Sequence, residues 1–310
     1  MTSLASRPFV QLPYAQIPEL PRVPHRFFEL PEERVLVRSP HFGDVRLSVR
    51  RLGKGPPLLL VHGLMTSSYS FRYVIEPLAE RFEVIVPDLP GAGRSDAPDV
   101  PYGARELGHL LGDLLTAMGR PSARVLGNSM GGYLAMWLAL DRPAQVERLL
   151  NLHSPGVVTP RMQALDVAIH LPLADRVLDA LVRRDPERWA FRNVHYYDES
   201  LKSREEAREY GAPLSSRAGR RAFHRYLADT LRTSSMRALE RELSARKGVF
   251  PVPLQLVYVR RDPMVPPSVG ERLARLVPGA ELVWLERGSH FAHVDAVDDL
   301  LGVAVPFLAA

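Results

Sequence analysis

Residues 124–140 read R-V-L-G-N-S-M-G-G-Y-L-A-M-W-L-A-L, and their pattern decides the fold. A short apolar run turns at Gly127-Asn128-Ser129-Met130-Gly131-Gly132 and continues as a run with almost no polar residue. This predicts a strand, a sharp turn and a helix, with Ser129 at the turn. The glycines have a steric reason: larger side chains at Gly127 and Gly131 would collide with the neighbouring strand and helix. The turn lifts the Ser129 hydroxyl above the sheet edge at a helix N-terminus, where a developing negative charge is favoured. Ser129 is therefore a candidate nucleophile; the alternative is a helix N-cap serine without chemistry.

Outward from this turn, strand and helix alternate. Residues 34–38 and 45–52 read as a hairpin about a turn at 41–44. Short apolar runs at 58–61, 83–86 and 146–152 read as buried strands, and 69–82 and 102–118 as helices, with Pro77 a weak point in the first. This alternation predicts a parallel sheet covered on both faces. From 155 to 249 it stops and the chain looks wholly helical, with loops at Pro172, Pro186 and 211–213. Strands at 254–259 and 281–285 then resume the sheet around a helix at 270–277, and a last helix covers 291–308. The expected organisation is a proline-rich arm (1–33), an α/β core (34–154 and 250–310) and an inserted helical cap (155–249).

A serine nucleophile needs a base and a group to orient that base. Both must lie at strand ends on the same sheet edge. Asp262 follows the strand at 254–259, and His290 follows the strand at 281–285. The chain between them is long enough for one loop, one helix and one strand, so the two loops can emerge side by side. His293 is the rival base, expected inside the last helix with a structural hydrogen bond. No carboxylate follows the strand ending at Leu152, where His153-Ser154-Pro155-Gly156 stands. An oxyanion hole needs two N–H groups aimed at one point; Met130, after the nucleophile, and Leu64, after His62-Gly63, are expected to supply them. His62 reads as a buried residue holding its loop.

Composition bounds the rest. The 310 residues carry 40 Lys+Arg against 35 Asp+Glu, a net charge of +5. Residues 155–250 hold 18 basic and 13 acidic side chains, so the surplus lies in the insertion and the remainder is neutral. A nucleic-acid partner would call for a denser basic stripe with aromatics, and none is expected. With no cysteine, disulfides, thiolate metal sites and a cysteine nucleophile are excluded. Prolines interrupt residues 1–31, leaving no secretory apolar run, and no stretch reaches the length of a membrane span. A cytoplasmic protein without an integral membrane segment is expected.

Five segments carry a family resemblance: L-L-L-V-H-G-L ending at Leu64, V-P-D-L-P-G-A-G-R-S-D ending at Asp96, G-N-S-M-G-G ending at Gly132, R-R-D-P-M-V-P ending at Pro266, and G-S-H-F ending at Phe291. Together they resemble the α/β-hydrolase superfamily of serine hydrolases. The resemblance implies an α/β fold with a mostly parallel eight-stranded sheet, a helical cap, a Ser129–Asp262–His290 triad and acyl-enzyme chemistry without metal or organic cofactor. Members that open epoxides or remove halides have aspartate where this chain has Ser129. G-N-S-M-G-G, Arg260 and Asp198-Glu199-Ser200-Leu201 are similar to hydrolases cleaving carbon–carbon bonds in aromatic ring-fission products. Those enzymes, however, have a tryptophan at Phe291 and a cap arginine near Tyr210. A small carboxylic ester of fairly apolar character is the expected substrate, with carbon–carbon hydrolysis and a non-catalytic binding protein as alternatives. Trp189, Tyr197, Tyr210 and Phe291 are expected to bind substrate, with Phe191 and Tyr196 as further cap candidates.

Overall fold

The computed structural model describes residues 9–310, so residues 1–8 of the expected arm lie outside it. The strands are β1 (Glu32–Ser39), β2 (Gly43–Leu52), β3 (Pro57–Val61), β4 (Glu83–Pro87), β5 (Ala123–Asn128), β6 (Val146–Leu152), β7 (Leu254–Val259) and β8 (Glu281–Leu285). They form one eight-stranded sheet in the order β1-β2-β4-β3-β5-β6-β7-β8. Only β2 runs against its neighbours; β4, β3, β5, β6, β7 and β8 are mutually parallel. The winding direction reverses at β3, which lies between β4 and β5. Chain leaving β3 and β5 therefore diverges at the carboxyl edge and opens a crevice there.

In the core, helices α1 (Ile75–Ala79), α2 (Ala104–Ala117) and α3 (Met130–Asp141) connect the strands. The helix expected over 69–82 is broken: a 3₁₀ turn at Ser68–Phe71 precedes α1. Pro77 explains the late start, since it then lies in the first turn, where its missing N–H costs nothing. α3 is buried from Met130 to Leu140 without an exposed face, as its apolar sequence requires. It packs beneath α2 and across β5 and β6.

Between β6 and β7 come α4 (Pro160–Ile169), α5 (Ala174–Arg184), α6 (Pro186–Asn193), α7 (Arg204–Ser215), α8 (Arg217–Arg225), a π-turn at Tyr226–Thr230, and α9 (Thr233–Ala245). Side-chain caps from Thr159, Asp185, Ser203 and Ser216 start α4, α6, α7 and α8, and prolines occupy the first position of α4 and α6. The loop expected at 211–213 is instead part of α7. Gly211 is there because a Cβ would lie 2.8 Å from the Glu187 Cα, where α6 crosses α7. The remaining helices are α10 (Pro267–Leu276), α11 (Ala292–Asp295) and α12 (Val297–Ala309); the single helix expected over 291–308 breaks at Ala296 (φ −144°, ψ 47°).

The second half of the insertion is bolted to the core through a buried polar cluster. Arg72 pairs with Glu206 at 2.6 Å, and Tyr196 donates to the same carboxylate at 2.6 Å. Tyr69 and His25 both meet Glu205, at 2.6 and 2.9 Å. The arm lies along α6 and the segment after it: Phe9 N–H donates to the Tyr197 carbonyl, Gln11 to the Phe191 carbonyl, and Tyr14 to Glu187. Among the described residues no helix is long and apolar enough to cross a membrane.

Candidate active site

Ser129 has φ 55° and ψ −123°, a backbone conformation that side-chain-bearing residues rarely adopt. The strain is held from both sides. Ser129 N–H donates to the Leu152 carbonyl at 2.7 Å, fixing the turn to the end of β6. A Cβ on Gly131 would run into the Val61 carbonyl oxygen, and one on Gly127 would meet the Gly132 Cα at 2.6 Å. These glycines let the start of α3 pass directly behind the ends of β3 and β5.

His290 Nδ1 and Asp262 Oδ2 are 2.7 Å apart in buried surroundings. The other Asp262 oxygen accepts the Met264 and Val265 N–H groups at 2.7 and 2.9 Å. Burial by itself pushes the Asp262 carboxyl up. The facing His290 and these donors more than offset that, so it is held below the usual range. Acceptance by Asp262 places the imidazole proton on Nδ1 and leaves Nε2 free to accept a proton. Asn128, next to the nucleophile position, donates to the His290 carbonyl at 3.0 Å and ties the two loops together. That bond escapes sequence reading, because nothing in the spacing marks Asn128 as a bridge.

Leu64 and Met130 flank the same point. Met130 opens α3, where first-turn N–H groups lack an intrahelical acceptor. Leu64 N–H has no acceptor among the described residues. His62 shapes this loop: its Nε2 accepts the Leu89 N–H at 2.9 Å and its Nδ1 donates to the Gly63 carbonyl at 2.8 Å. Gly63 brings the loop close to Ser129, since a Cβ there would stand 3.1 Å from Ser129 Cβ.

Ser129 and His290, with Leu64 and Met130, face one cavity of about 380 Å³. Ser129, His290, Leu64 and Met130 line its floor, and α4, α5 and α6 with the π-turn form its roof. The lining is mostly aliphatic, with Met162, Leu165, Ile169, Leu178 and Leu227 prominent. Of the residues expected to bind substrate, Trp189 and Phe291 line the cavity. Tyr197 and Tyr210 do not, and this corrects the expectation. Tyr197 is held through its N–H by Asp295 at 2.8 Å, away from the cavity. Tyr210 is buried edge-on against Tyr69, beside the Arg72–Glu206 pair, and borders only a small adjoining void. Phe191 packs against the arm residues Tyr14 and Ile17, and Tyr196 is bonded to Glu206. The aliphatic liners escaped notice because their spacing equally suits an ordinary core face.

His293 corrects a second expectation: it is fully buried against Phe71 and neither ring nitrogen has a hydrogen-bond partner among the described residues. Burial holds it neutral, well below the usual histidine range. His153 lies tilted against His290 with ring centroids 5.4 Å apart, and burial pushes its pKa down to about 3. Its Nε2 accepts the Val259 N–H at 3.0 Å. His153, Asp262 and His290 bring possible ligand atoms within 4.8 Å of one another. Both Asp262 oxygens and His153 Nε2 are engaged in the bonds above, while His153 Nδ1 has no partner among the described residues.

A sheet with this order, a strained serine between β5 and α3, and an acid and a histidine after β7 and β8 define a hydrolase architecture. The sequence agrees: a family model for the alpha/beta hydrolase fold matches residues 56–297, and the chain belongs to that family. An uncharacterised protein of Mycobacterium tuberculosis is 36% identical over 138 residues, 44% of this chain and only 40% of that protein's length. The magnesium-chelatase 30 kDa subunit of Rhodobacter capsulatus is 32% identical over 82% of this chain and 87% of its own. A 2-hydroxymuconate semialdehyde hydrolase from a Pseudomonas species is 28% identical over 86% of this chain and 91% of its own. Among solved structures, an epoxide hydrolase superposes with a TM-score of 0.77 at 23% identity, covering 90% of this chain and 99% of that one, a likeness of fold alone.

Proposed function

We propose that this protein is a serine hydrolase that cleaves a carboxylic ester of a fairly apolar substrate through an acyl-enzyme. The observation that carries the reading is the Asp262–His290 pair opening, together with strained Ser129, on one aliphatic cavity. In this mechanism His290 Nε2 takes the Ser129 proton as the hydroxyl oxygen attacks the carbonyl carbon. Asp262 keeps the ring proton on Nδ1 and stabilises the imidazolium. The N–H groups of Leu64 and Met130 hold the oxyanion. His290 then protonates the leaving alcohol and next draws a proton from the water that releases the acid. Among the described residues no hydrogen bond joins the Ser129 hydroxyl to His290, as in many unliganded sites, where catalytic hydrogen bonds are long until substrate binds. The helical insertion acts as the cap: its inner face supplies the apolar walls.

A second reading, hydrolysis of a carbon–carbon bond, draws support from the Pseudomonas relative and from Arg161, a cation on the cavity wall. Arg161 is exposed at the rim and donates to the Pro263 carbonyl at 3.1 Å. Arg208, nearest in sequence to the arginine of those enzymes, is paired with Glu19 on the surface. A buried dienolate would thus lack a fixed cationic partner, which costs several kcal/mol, whereas an ester asks only for the two N–H groups. The test compares kcat/KM for a p-nitrophenyl ester series and a 2-hydroxy-6-oxo-dienoate. Preference for the ester is expected; a hundredfold preference for the dienoate would overturn the ester reading. Absence of covalent labelling by a fluorophosphonate would point to a binding protein instead.

A further inference from the structure

Two of the helices that roof the cavity, α4 and α5, are apolar on both sides. Inward, Met162, Leu165, Ile169 and Leu178 line the cavity. Outward, Val167, Leu171, Leu173, Val177 and Leu181 are between 55% and 66% exposed. They all lie within one helix–turn–helix segment, on α4, the connecting turn and α5, and we read them as one ridge. Val177 and Leu181 are four apart in α5 and share a face. An exposed contiguous apolar surface of this kind marks a contact site.

The charges around the ridge indicate what it contacts. Arg184 falls on the same helical face as Val177 and Leu181, and Arg176 and Arg183 on the adjoining flank. All three are exposed and have no carboxylate partner among the described residues. Of the acidic side chains of α5, Asp179 lies four residues before Arg183 on the arginine flank and is spent on Arg220 at 2.6 Å, and Asp175 stands beside it, away from Val177 and Leu181. Apolar side chains bordered by free arginines are the pattern of a helix that lies in the headgroup region of an anionic bilayer. The attachment of this half differs from that of the next. α7 is bolted to the core by Arg72–Glu206, whereas α4 and α5 turn their apolar residues both to the cavity and to solvent.

We propose that the outer face of α4, α5 and their connecting turn docks on an anionic phospholipid bilayer, and that the ester reaching Ser129 is drawn from that bilayer. The second clause rests on the ester-hydrolase reading; the docking clause does not. With the roof in the headgroup layer, an acyl chain passing beneath α4 and α5 would stay in contact with apolar surface from the bilayer to the cavity.

The test uses the full chain and vesicles of phosphatidylcholine, alone or equimolar with phosphatidylglycerol. Co-sedimentation should be strong with the mixed vesicles, weak with phosphatidylcholine alone, and reduced by salt. Each arginine at an anionic surface contributes about fivefold in affinity, so the triple variant Arg176→Gln, Arg183→Gln, Arg184→Gln should bind about a hundredfold more weakly. The double variant Val177→Glu, Leu181→Glu, which leaves the cavity lining untouched, should lose sedimentation. It should also lose activity on a long-chain p-nitrophenyl ester dissolved in the vesicles while keeping wild-type turnover of soluble p-nitrophenyl butyrate. Binding that both variants retain, or equal loss on both esters, overturns the proposal. So does a wild-type dimer by light scattering that the double variant converts to monomer without any vesicle binding, because the ridge would then serve a second copy of the chain. Vesicle binding without hydrolysis of either ester would leave the docking clause standing and remove the ester-hydrolase reading.

Discussion

Replacing Asp262 by asparagine is the most discriminating perturbation of the proposed mechanism, because the bonds around that carboxylate dictate how an amide must sit. One oxygen accepts two N–H groups, from Met264 and Val265, and the other accepts His290 Nδ1–H. The single carbonyl oxygen of the substituted amide can satisfy the two backbone donors or the one imidazole donor. The first choice keeps two bonds, while the reverse sets an NH₂ against two N–H donors in a buried place, at about 1–3 kcal/mol for each group left unpaired. The amide nitrogen therefore faces His290 and donates to Nδ1, which moves the ring proton to Nε2. In that tautomer Nε2 cannot accept the Ser129 proton, and the charge that steadied the imidazolium is gone as well. The expected loss in kcat is on the order of 10⁴, or about 5.5 kcal/mol of transition-state stabilisation. Turnover of p-nitrophenyl butyrate measures it, with circular dichroism as the control for folding. A folded variant within tenfold of wild type would refute the role given to Asp262.

Ser129→Ala should leave the fold intact and lower kcat about a million-fold, and His290→Ala nearly as much. His293→Ala should instead lower the melting temperature through the space it leaves against Phe71 while sparing kcat; the reverse order of the two histidine variants would show that the base is misassigned. Acid should destabilise the fold through its buried histidines. The unfolded chain protonates His153 near 6.5, whereas the native residue stays neutral until about 3, so stability is complete above 6.5 and is lost as pH falls between those values. That histidine accounts for about 4–5 kcal/mol by the lower end, His62 and His293, also held neutral by burial, act in the same direction, and Asp295, whose carboxyl burial raises to about 6, opposes them as pH falls. Urea unfolding from pH 8 to pH 4 checks this, and a flat stability in that interval would count against it. Gly131→Ala forces a Cβ onto the Val61 carbonyl and should cost about 1–3 kcal/mol with a disproportionate fall in kcat, read from parallel melting and turnover measurements.

The core and its chemistry are legible in the sequence because local rules govern them. The runs at 58–61 and 254–259 read as strands and are buried along nearly their whole length, and a serine between glycines after a buried strand marks a sharp turn into a helix. Asp262 and His290 each follow a strand directly, and the parallel sheet then brings them to one edge, 2.7 Å apart, without further information. The family pattern adds the eight strands; their order comes from the structure. The insertion was legible only as helical. Which of its side chains face the cavity depends on how the helices dock, and docking was decided by a pair distant in sequence, Arg72 on the core and Glu206 on α7. A buried ion pair needs hydroxyl partners and aromatic cover, so Tyr69, Tyr196 and Tyr210 gather there. The tyrosine expected to touch substrate is thereby turned away, and the cavity is left to methionine, leucine and isoleucine from α4 and α5. Helical period alone tells that a helix has an apolar face. In α4 and α5 apolar side chains face both ways, and only the assembled structure separates those that close over Ser129 from those left in solvent.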